Sequence, residues 1–559
     1  MSHRRLVVLL LPLLLLLVSG AVWGCYFETN DDLTIVALLR GETAAAPVSD
    51  LYLYFHGFAG VWSRLYPTAP LVSWYGLTLY GLLYTATVLA FAVLYRLLRP
   101  AAGRWGLVAV LVLFWGVAWL EHGLWFNYVR VPLLLAGAGV LFAAQRAPAR
   151  GALAIGLLAF GLSWLIRPSA ALLGGAAALP GAWWLSGRRS LPVLAGAAAW
   201  AMLGGLWLNL TWSPAAATFR RLDVLKSNLN DFQLTAPPPR PLSAADSLGL
   251  AAVRQWMLAD SAVVNEALFA RVAPIRPGYF LWETAPTKLL ALLRQLPRDY
   301  FPLLLLVAAT WALVARRPGG RWFWAVQLGY TGLVLGLGVV LKLPPRLALP
   351  LLDFWVISNL IFVFGRQPVP RHAVAVLLAV LVAAAVPYGL KTWHRSIVLA
   401  AEQQRNNQTR EQLSQLAKRA DVVVTDLWEQ TYKAGSPFQE VLPSAVGGRN
   451  KLTNAPLRVS VIGWQTLHPS QPALRQHLTG SRNFTEALRR LGQRPNVAWL
   501  LSPEGAALLN RQLALRQQPG QPLMQLESAS ANRLTWKNAM HAYQFRVKFL
   551  HSSSKAKIL

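Results

Sequence analysis

Long apolar runs, separated by short polar stretches rich in arginine, dominate this chain up to about residue 390. A membrane span takes about 20 mostly apolar residues. On that rule about eleven runs are candidate spans: Leu6–Gly24, Trp74–Tyr95, Trp105–Leu120, Val129–Ala144, Gly151–Ile166, Ala170–Leu185, Leu191–Leu210, Tyr300–Val314, Trp322–Leu341, Ala348–Phe364 and Ala373–Leu390. Beyond Lys391 the pattern changes. Polar helical sequence, Glu402–Arg419, leads to short apolar runs at Val422-Val423-Val424, Val459–Ile462, Val497–Leu500 and Tyr543–Val547, interleaved with helical patterns such as Thr485–Leu491. Strands alternating with helices predict a small α/β domain. The expected fold class is therefore mainly α: a polytopic helix bundle over residues 1–390, followed by a C-terminal α/β domain over 391–559.

Composition and charge sharpen this picture. The chain has 559 residues, 55% hydrophobic and 14% charged, with a mean hydropathy of +0.40. Soluble domains sit nearer 45–50% apolar with about 25% charge. The formal charge is +30, from 53 Lys and Arg against 23 Asp and Glu. In a soluble protein that excess would point to nucleic acid; here the arginines fall in short loops between apolar runs, where membrane orientation explains them. Arg4 and Arg5 place the N-terminus in the cytosol. Alternate loops then carry Arg96, Arg99 and Arg104; Arg146 and Arg150; Arg188 and Arg189; Arg316, Arg317 and Arg321; and Arg366 and Arg371, with no acid among them. An odd number of spans leaves the C-terminal domain outside. The only cysteine is Cys25. Arg4-Arg5, the apolar run and Gly24-Cys25 are compatible with a lipoprotein-type signal, but the bulky Trp23 is not, and Leu6–Gly24 is read as a retained membrane helix.

Three segments fall outside on this topology: Tyr26–Ser73, Thr211–Arg298 and the tail. The first opens with Cys25-Tyr26-Phe27-Glu28-Thr29-Asn30-Asp31-Asp32, three carboxylates within five residues at a membrane exit. Asn30 or Asp31 suits a helix N-cap, acids in a first turn favour the helix dipole, and Gly41 suits the C-terminal end. The chemical alternative is a general base, or an oxygen ligand for a divalent ion. Adjacent helical residues point about 100° apart, so Asp31 and Asp32 do not aim at one atom. One acts and the other caps or orients it. The aromatics of Tyr52–Phe58 suit an interfacial helix.

Three further features carry charge at the expected outer face. Lys342-Leu343-Pro344-Pro345-Arg346 sets two cations about a rigid Pro-Pro, either to hold a phosphate or to reach lipid headgroups. Arg167, between two apolar runs, needs a partner: a phosphate, or an acid of the first segment. Glu121-His122, with Asn127 and Arg130, reads as a solvated polar cluster. The chain has no phosphate-cradling GxxxxGK loop, no HExxH pair and no GxSxG elbow. An enzyme of this layout takes an activated substrate already carried across the membrane on a lipid.

With Asn30-Asp31-Asp32 after a first span, then Arg64-Leu65-Tyr66-Pro67, Trp74-Tyr75, Arg167, Lys342–Arg346 and an α/β tail, the chain resembles bacterial integral-membrane glycosyltransferases of the GT-C class. The resemblance implies an inverting transferase in the cytoplasmic membrane. Its donor is a polyprenyl-phosphate-linked sugar and its acceptor a glycan, lipid or protein. Asp31, with Asp32 close behind, would serve as base or as ligand of a divalent Mg or Mn ion, the cofactor being that ion or none. Arg346, Lys342 and Arg167 would hold the lipid phosphate, and Glu28, Asn30, Glu121 and His122 would be accessory. The sugar cavity is expected between the first outer segment and Thr211–Arg298. The competing readings are a lipid-linked glycan polymerase or ligase, and a transporter or flippase, the latter expected to carry acids at mid-membrane depth.

Overall fold

The computed structural model describes residues 3–238, 240–315, 320–365, 372–416, 420–439, 458–517, 522–528 and 541–548. The expected cytosolic arginines Arg316, Arg317, Arg366 and Arg371 lie outside them. Among the described residues eight helical stretches are long and apolar enough to cross a membrane. The chain therefore has the build of a multi-pass membrane protein. One stretch, Pro168–Thr211, is two helices turned at Gly187–Ser190. Two shorter apolar helices, Arg130–Gln145 and Arg150–Ile166, join the bundle. Every apolar run picked out in the sequence coincides with helix, to within one residue at its ends.

The Arg130–Gln145 helix is buried on nearly all sides and forms the centre of the bundle. Small residues allow the close approach. A Cβ on Gly174 would stand 2.1 Å from the Leu133 carbonyl oxygen, and Gly139 and Gly156 face each other backbone to backbone. Without water to drive helices together, such contacts and interhelical hydrogen bonds hold a membrane bundle. Gln327 supplies the latter, its Oε1 accepting from Trp355 Nε1 at 2.6 Å and Trp311 Nε1 at 2.8 Å.

Two elements differ from expectation. The run Tyr300–Val314 belongs to a 31-residue helix, Ala285–Ala315, which reaches back into the expected outer segment. It bends at Tyr300 between Pro297 and Pro302, where prolines remove backbone donors. The last long helix, Ala373–Leu416, runs through position 391 without a break. The helix continues through Pro387 and Gly389 and past the apolar–polar boundary, so neither residue ends it.

The C-terminal part forms a five-stranded mixed sheet. β1 (Tyr26–Phe27) and β2 (Trp125–Phe126) make a separate parallel pair; β3 (Val422–Thr425), β4 (Arg458–Val461), β5 (Val497–Leu501), β6 (Leu523–Ser528) and β7 (His541–Lys548) line up in the order β4-β3-β5-β7-β6. The first three are parallel and the last two join antiparallel. Four of the five were expected from the apolar runs; β6, whose sequence Leu-Met-Gln-Leu-Glu-Ser alternates weakly, was not.

The sheet, the first segment and the second segment gather at one end of the bundle. Helices Pro214–Asn230, Ala244–Arg254 and Glu266–Val272 of the second segment start at Ser213, Ser243 and Asn265, whose side chains accept from backbone amides in the first turn. Asp260 Oδ2 accepts from Thr485 Oγ1 and Gln512 Nε2, tying this segment to the sheet helices. Thr43 joins the first segment to the tail through Gln465 and Gln471. Arginines mark the other end: Arg146 Nη2 donates to the Ala92 carbonyl at 3.0 Å, and the rings of His3 and Tyr95 are 6.4 Å apart.

Candidate functional site

The acidic turn is fixed by backbone on both flanks. β1 pairs with β2, the Glu28 amide donates to the Phe126 carbonyl at 2.7 Å, and Phe27 exchanges hydrogen bonds with Ala434 and Gly435 of the tail. The helix Asp31–Arg40 starts at Asn30, whose side chain makes no capping bond; the hydroxyl of Thr29 accepts instead from the Asp31 amide. Gly41 ends it in the left-handed conformation, φ 75°.

From this start the two aspartates diverge. Asp32 points into the protein and is fully buried. Its Oδ1 accepts from Tyr75 Oη at 2.8 Å and the Tyr128 amide at 3.1 Å, and its Oδ2 accepts from Asn127 Nδ2 at 3.0 Å. Burial pushes this carboxyl well above the usual range, against the pull of the Tyr75 hydrogen bond. It joins the acidic turn to the 127–128 loop. Asp31 is half-buried and makes no side-chain hydrogen bond or ion pair with the described residues. Its charge acts on Arg346, Tyr128, Tyr54 and Glu429, which lie within electrostatic reach of it.

Arg346, at the start of the Pro345–Phe364 helix, donates to Glu28 Oε1 at 3.2 Å and stays partly open. Arg167 donates to the Tyr128 hydroxyl at 2.5 Å. Of the two partners expected for Arg167, a phosphate or a first-segment acid, the acid is not the one it meets among the described residues; it meets this phenol, which burial pushes up to about 12 although Arg167 draws it down. Tyr54 packs on Tyr128 at 5.5 Å. The backbone that delivers it is strained: Tyr52 and Phe55 both take positive φ, 61° and 59°, and the Phe55 and His56 amides donate to the carbonyls of Ile166 and Leu165. Such non-glycine outliers persist where surroundings over-determine them.

Lys342 stands apart. It is 56% exposed and pairs with Asp231 at 3.4 Å, away from Glu28 and Arg346. The rigid Pro-Pro turns Arg346 inward and leaves Lys342 outward.

Glu121 and His122, expected to be solvated, are buried. Glu121 takes Arg395 at 2.6 Å. Arg130 has only donors, so its contact with His122 Nδ1 at 3.2 Å makes that nitrogen the acceptor. Nε2 then carries the proton and donates to Asp353 Oδ2 at 2.6 Å. Arg130 also donates to Glu28 Oε2 at 2.8 Å. A continuous buried chain thus runs Asp353–His122–Arg130–Glu28–Arg346. Asp353 was passed over in the sequence, although it is the sole acid in Ala348–Phe364, and an ionisable residue inside an apolar run is itself a signal.

The tail adds Glu429, which no sequence pattern marked. It is buried beside the Gly463–Gln465 turn, where a Cβ on Gly463 would stand 1.9 Å from its Oε2, and its Oε1 has no hydrogen-bond partner. Burial, with Asp31 nearby, pushes its carboxyl up from 4.5 to about 8. His468 packs between Tyr52 and Phe219 and meets the Asp50 carbonyl; burial takes it down from 6.5 to about 4. A raised carboxyl stabilises the folded seam below about 4.5 and loses that contribution as pH climbs towards 8. A depressed imidazole stabilises it above 6.5 and loses that as pH falls towards 4. Each slope is at most about 1.4 kcal/mol per pH unit, and the two oppose each other between 4.5 and 6.5. Thermal stability in detergent will therefore fall from pH 6.5 to 8, and Glu429→Gln will flatten that fall. An unchanged slope in the variant would remove Glu429 as its source.

The donor set does not fit a resident divalent ion. Of the three acids of the turn, Asp31 alone has uncommitted oxygens, since those of Asp32 and Glu28 are engaged, and among the described residues no three His, Cys, Asp or Glu converge. Against known protein families, curated proteins and solved structures, the chain matches none.

Proposed function

We propose that this protein is a membrane glycosyltransferase that moves a sugar from a polyprenyl-phosphate-linked donor to an acceptor at the outer face of the cytoplasmic membrane. The bundle then has eleven spans, counting Arg130–Gln145, Arg150–Ile166 and both halves of Pro168–Thr211, with the arginine end in the cytosol and the sheet outside. The supporting observation is the uncommitted Asp31 carboxylate, held within electrostatic reach of Arg346 and of the Arg167–Tyr128 pair.

In this reading Asp31 takes the proton of an acceptor hydroxyl. The oxygen attacks the anomeric carbon, the bond from that carbon to the lipid phosphate oxygen breaks, and the phosphate leaves with its charge. Arg346 and Arg167 meet that charge as it develops. Lys342, exposed and paired with Asp231, is left as a headgroup contact.

The test is turnover of purified protein in vesicles supplied with a panel of polyprenyl-phosphate sugars and envelope acceptors, read by mass spectrometry of the released polyprenyl phosphate. Acceptor-dependent release is expected. Folded protein that consumes no donor would sink the reading. One observation favours a second reading, a transporter or flippase: Asp353 is buried within a span and paired with His122, as in proton relays. Translocation of the lipid without consumption would select it.

A further inference from the structure

Arg346 and Asp353 stand on one helix, Pro345–Phe364, which is continuous through Pro350. A separation of seven residues is close to two turns, so the two lie on one side, about 10 Å apart along the axis. Arg346 sits in the first turn and stays partly open; Asp353 lies deeper and is fully buried. The hydrogen-bonded chain Asp353–His122–Arg130–Glu28–Arg346 therefore leaves this helix at one point and returns to it at another. It is a closed loop, with the helix as its fourth side.

Each inner member of the loop uses one polar atom for each neighbour. His122 donates from Nε2 to Asp353 Oδ2 at 2.6 Å and accepts on Nδ1 from Arg130 Nη1 at 3.2 Å. Arg130 reaches Glu28 Oε2 with Nη2 at 2.8 Å, and Glu28 Oε1 takes Arg346 Nη1 at 3.2 Å. Arg130 Nε has no hydrogen-bond partner among the described residues, so His122 and Glu28 between them orient the guanidinium. His122 packs edge-on against Trp119, with 5.3 Å between ring centres. A ring that loses its acceptor on Nε2 is free to turn, and Nδ1 then leaves Arg130.

The demand on Asp353 is narrow. Nε2–H needs an acceptor at the position of Oδ2 and does not need a charge there. Oδ1 has no hydrogen-bond partner among the described residues, so the loop makes no use of the second oxygen. A proton relay would need a group that ionises.

We propose that Asp353 is a positioning residue for the lipid phosphate: as a hydrogen-bond acceptor it holds His122, and through Arg130 and Glu28 it aims Arg346. The proposal rests on the reading of Arg346 as the phosphate ligand of the transferase, and it separates Asp353 from the relay role that a transporter would give it. Asp353→Leu keeps a branched shape and removes the acceptor. Asp353→Asn keeps an acceptor, since its carbonyl oxygen can face His122 while the amide nitrogen takes the unpartnered position of Oδ1.

The test is the affinity of the full chain for polyprenyl phosphate, by native mass spectrometry in neutral detergent, beside donor turnover in vesicles and thermal unfolding. Asp353→Leu is expected to bind about 10- to 100-fold more weakly, the loss of one hydrogen bond to a charged group, and to turn over donor correspondingly more slowly. Asp353→Asn is expected to restore most of the binding although it unfolds earlier, because its amide nitrogen is a buried donor without a described acceptor. A merely structural role predicts instead that folded variants bind alike. Nitrogen NMR of the imidazole rings, with His122 identified by its loss in His122→Phe, is expected to show the proton on Nε2 in wild type and in Asp353→Asn. Asp353→Asn binding as weakly as Asp353→Leu would show that the charge is what counts. Wild-type affinity in Asp353→Leu, or in His122→Phe where Asp353→Leu does not fold, would show that Arg346 is aimed without the loop. Either result overturns the proposal. Wild-type protein that binds polyprenyl phosphate yet consumes no donor removes the transfer reading alone, and the ranking of the variants still decides the role of Asp353; wild-type protein that binds none overturns both.

Discussion

Asp31→Asn will lower the proposed sugar transfer by about 10²–10⁴-fold, the contribution expected if Asp31 is a positioned general base, while leaving the protein folded. The side chain makes no hydrogen bond or ion pair with the described residues, so the isosteric amide costs the fold little. Asp32→Asn will behave in the opposite way. It puts an amide donor where Tyr75 Oη, Asn127 Nδ2 and the Tyr128 amide all donate. A buried donor set against donors costs about 1–3 kcal/mol per unsatisfied group, so this variant will lose thermal stability, with activity falling as the acidic turn loosens. The pair is read by donor turnover in vesicles alongside unfolding in detergent. If Asp31→Asn keeps full turnover, or if Asp32→Asn alone abolishes it at unchanged stability, Asp31 is not the base.

The difference between the two aspartates was partly legible in the sequence. Adjacent residues on a helix diverge by about 100°, which required one acid to act and the other to orient. Which was which depended on long-range partners: Tyr75 lies 43 residues away from Asp32 and Tyr128 lies 96. The apolar runs were legible because span length is set by the bilayer and shows in composition without any tertiary information. So were β3, β4, β5 and β7, whose short apolar runs differ in period from the helices around them. Lys342 and Arg346 looked equivalent because sequence gives spacing and not the turn that Pro344-Pro345 imposes. Glu121 and His122 looked solvated because the partners that make their burial tolerable, Arg395 and Asp353, lie hundreds of residues downstream. Glu429 had no local signature at all; it matters only because the tail folds back onto the acidic turn.

That folding back joins the site to the fold. The tail seats on β1 through Ala434 and Gly435, and its Glu429 reaches the surroundings of Asp31, so the acidic turn is closed by a segment some 400 residues later in the chain. The bundle supplies Arg346, Arg167 and Tyr128 from helix ends that the central Arg130–Gln145 helix holds in place. The carboxylate that links the acidic turn to the bundle is Glu28, which binds Arg130 on one oxygen and Arg346 on the other.

Glu28→Ala is accordingly expected to cost about 3–5 kcal/mol, the range for removing one partner of a buried ion pair. Arg130 is fully buried, and without Glu28 its only remaining described side-chain hydrogen-bond partner is the neutral acceptor nitrogen of His122. Surface pairs such as Arg221–Glu266 are worth far less, about 0–1 kcal/mol, so Glu266→Ala serves as the control. Glu28→Gln keeps the shape and one acceptor oxygen, and will retain more stability than Glu28→Ala. It still releases Arg346, which is only partly buried and will turn towards solvent. In that variant turnover will fall further than stability, and an anionic donor will bind more weakly. The compensating double variant Glu28→Ala/Arg130→Met will recover stability, since no charge is then left buried at that point, without recovering turnover. Unfolding in detergent and donor turnover, measured on the four variants together, separate the two roles. Equal small losses in Glu28→Ala and Glu266→Ala would show that water reaches Arg130 and that the buried chain does not hold Arg346 in place.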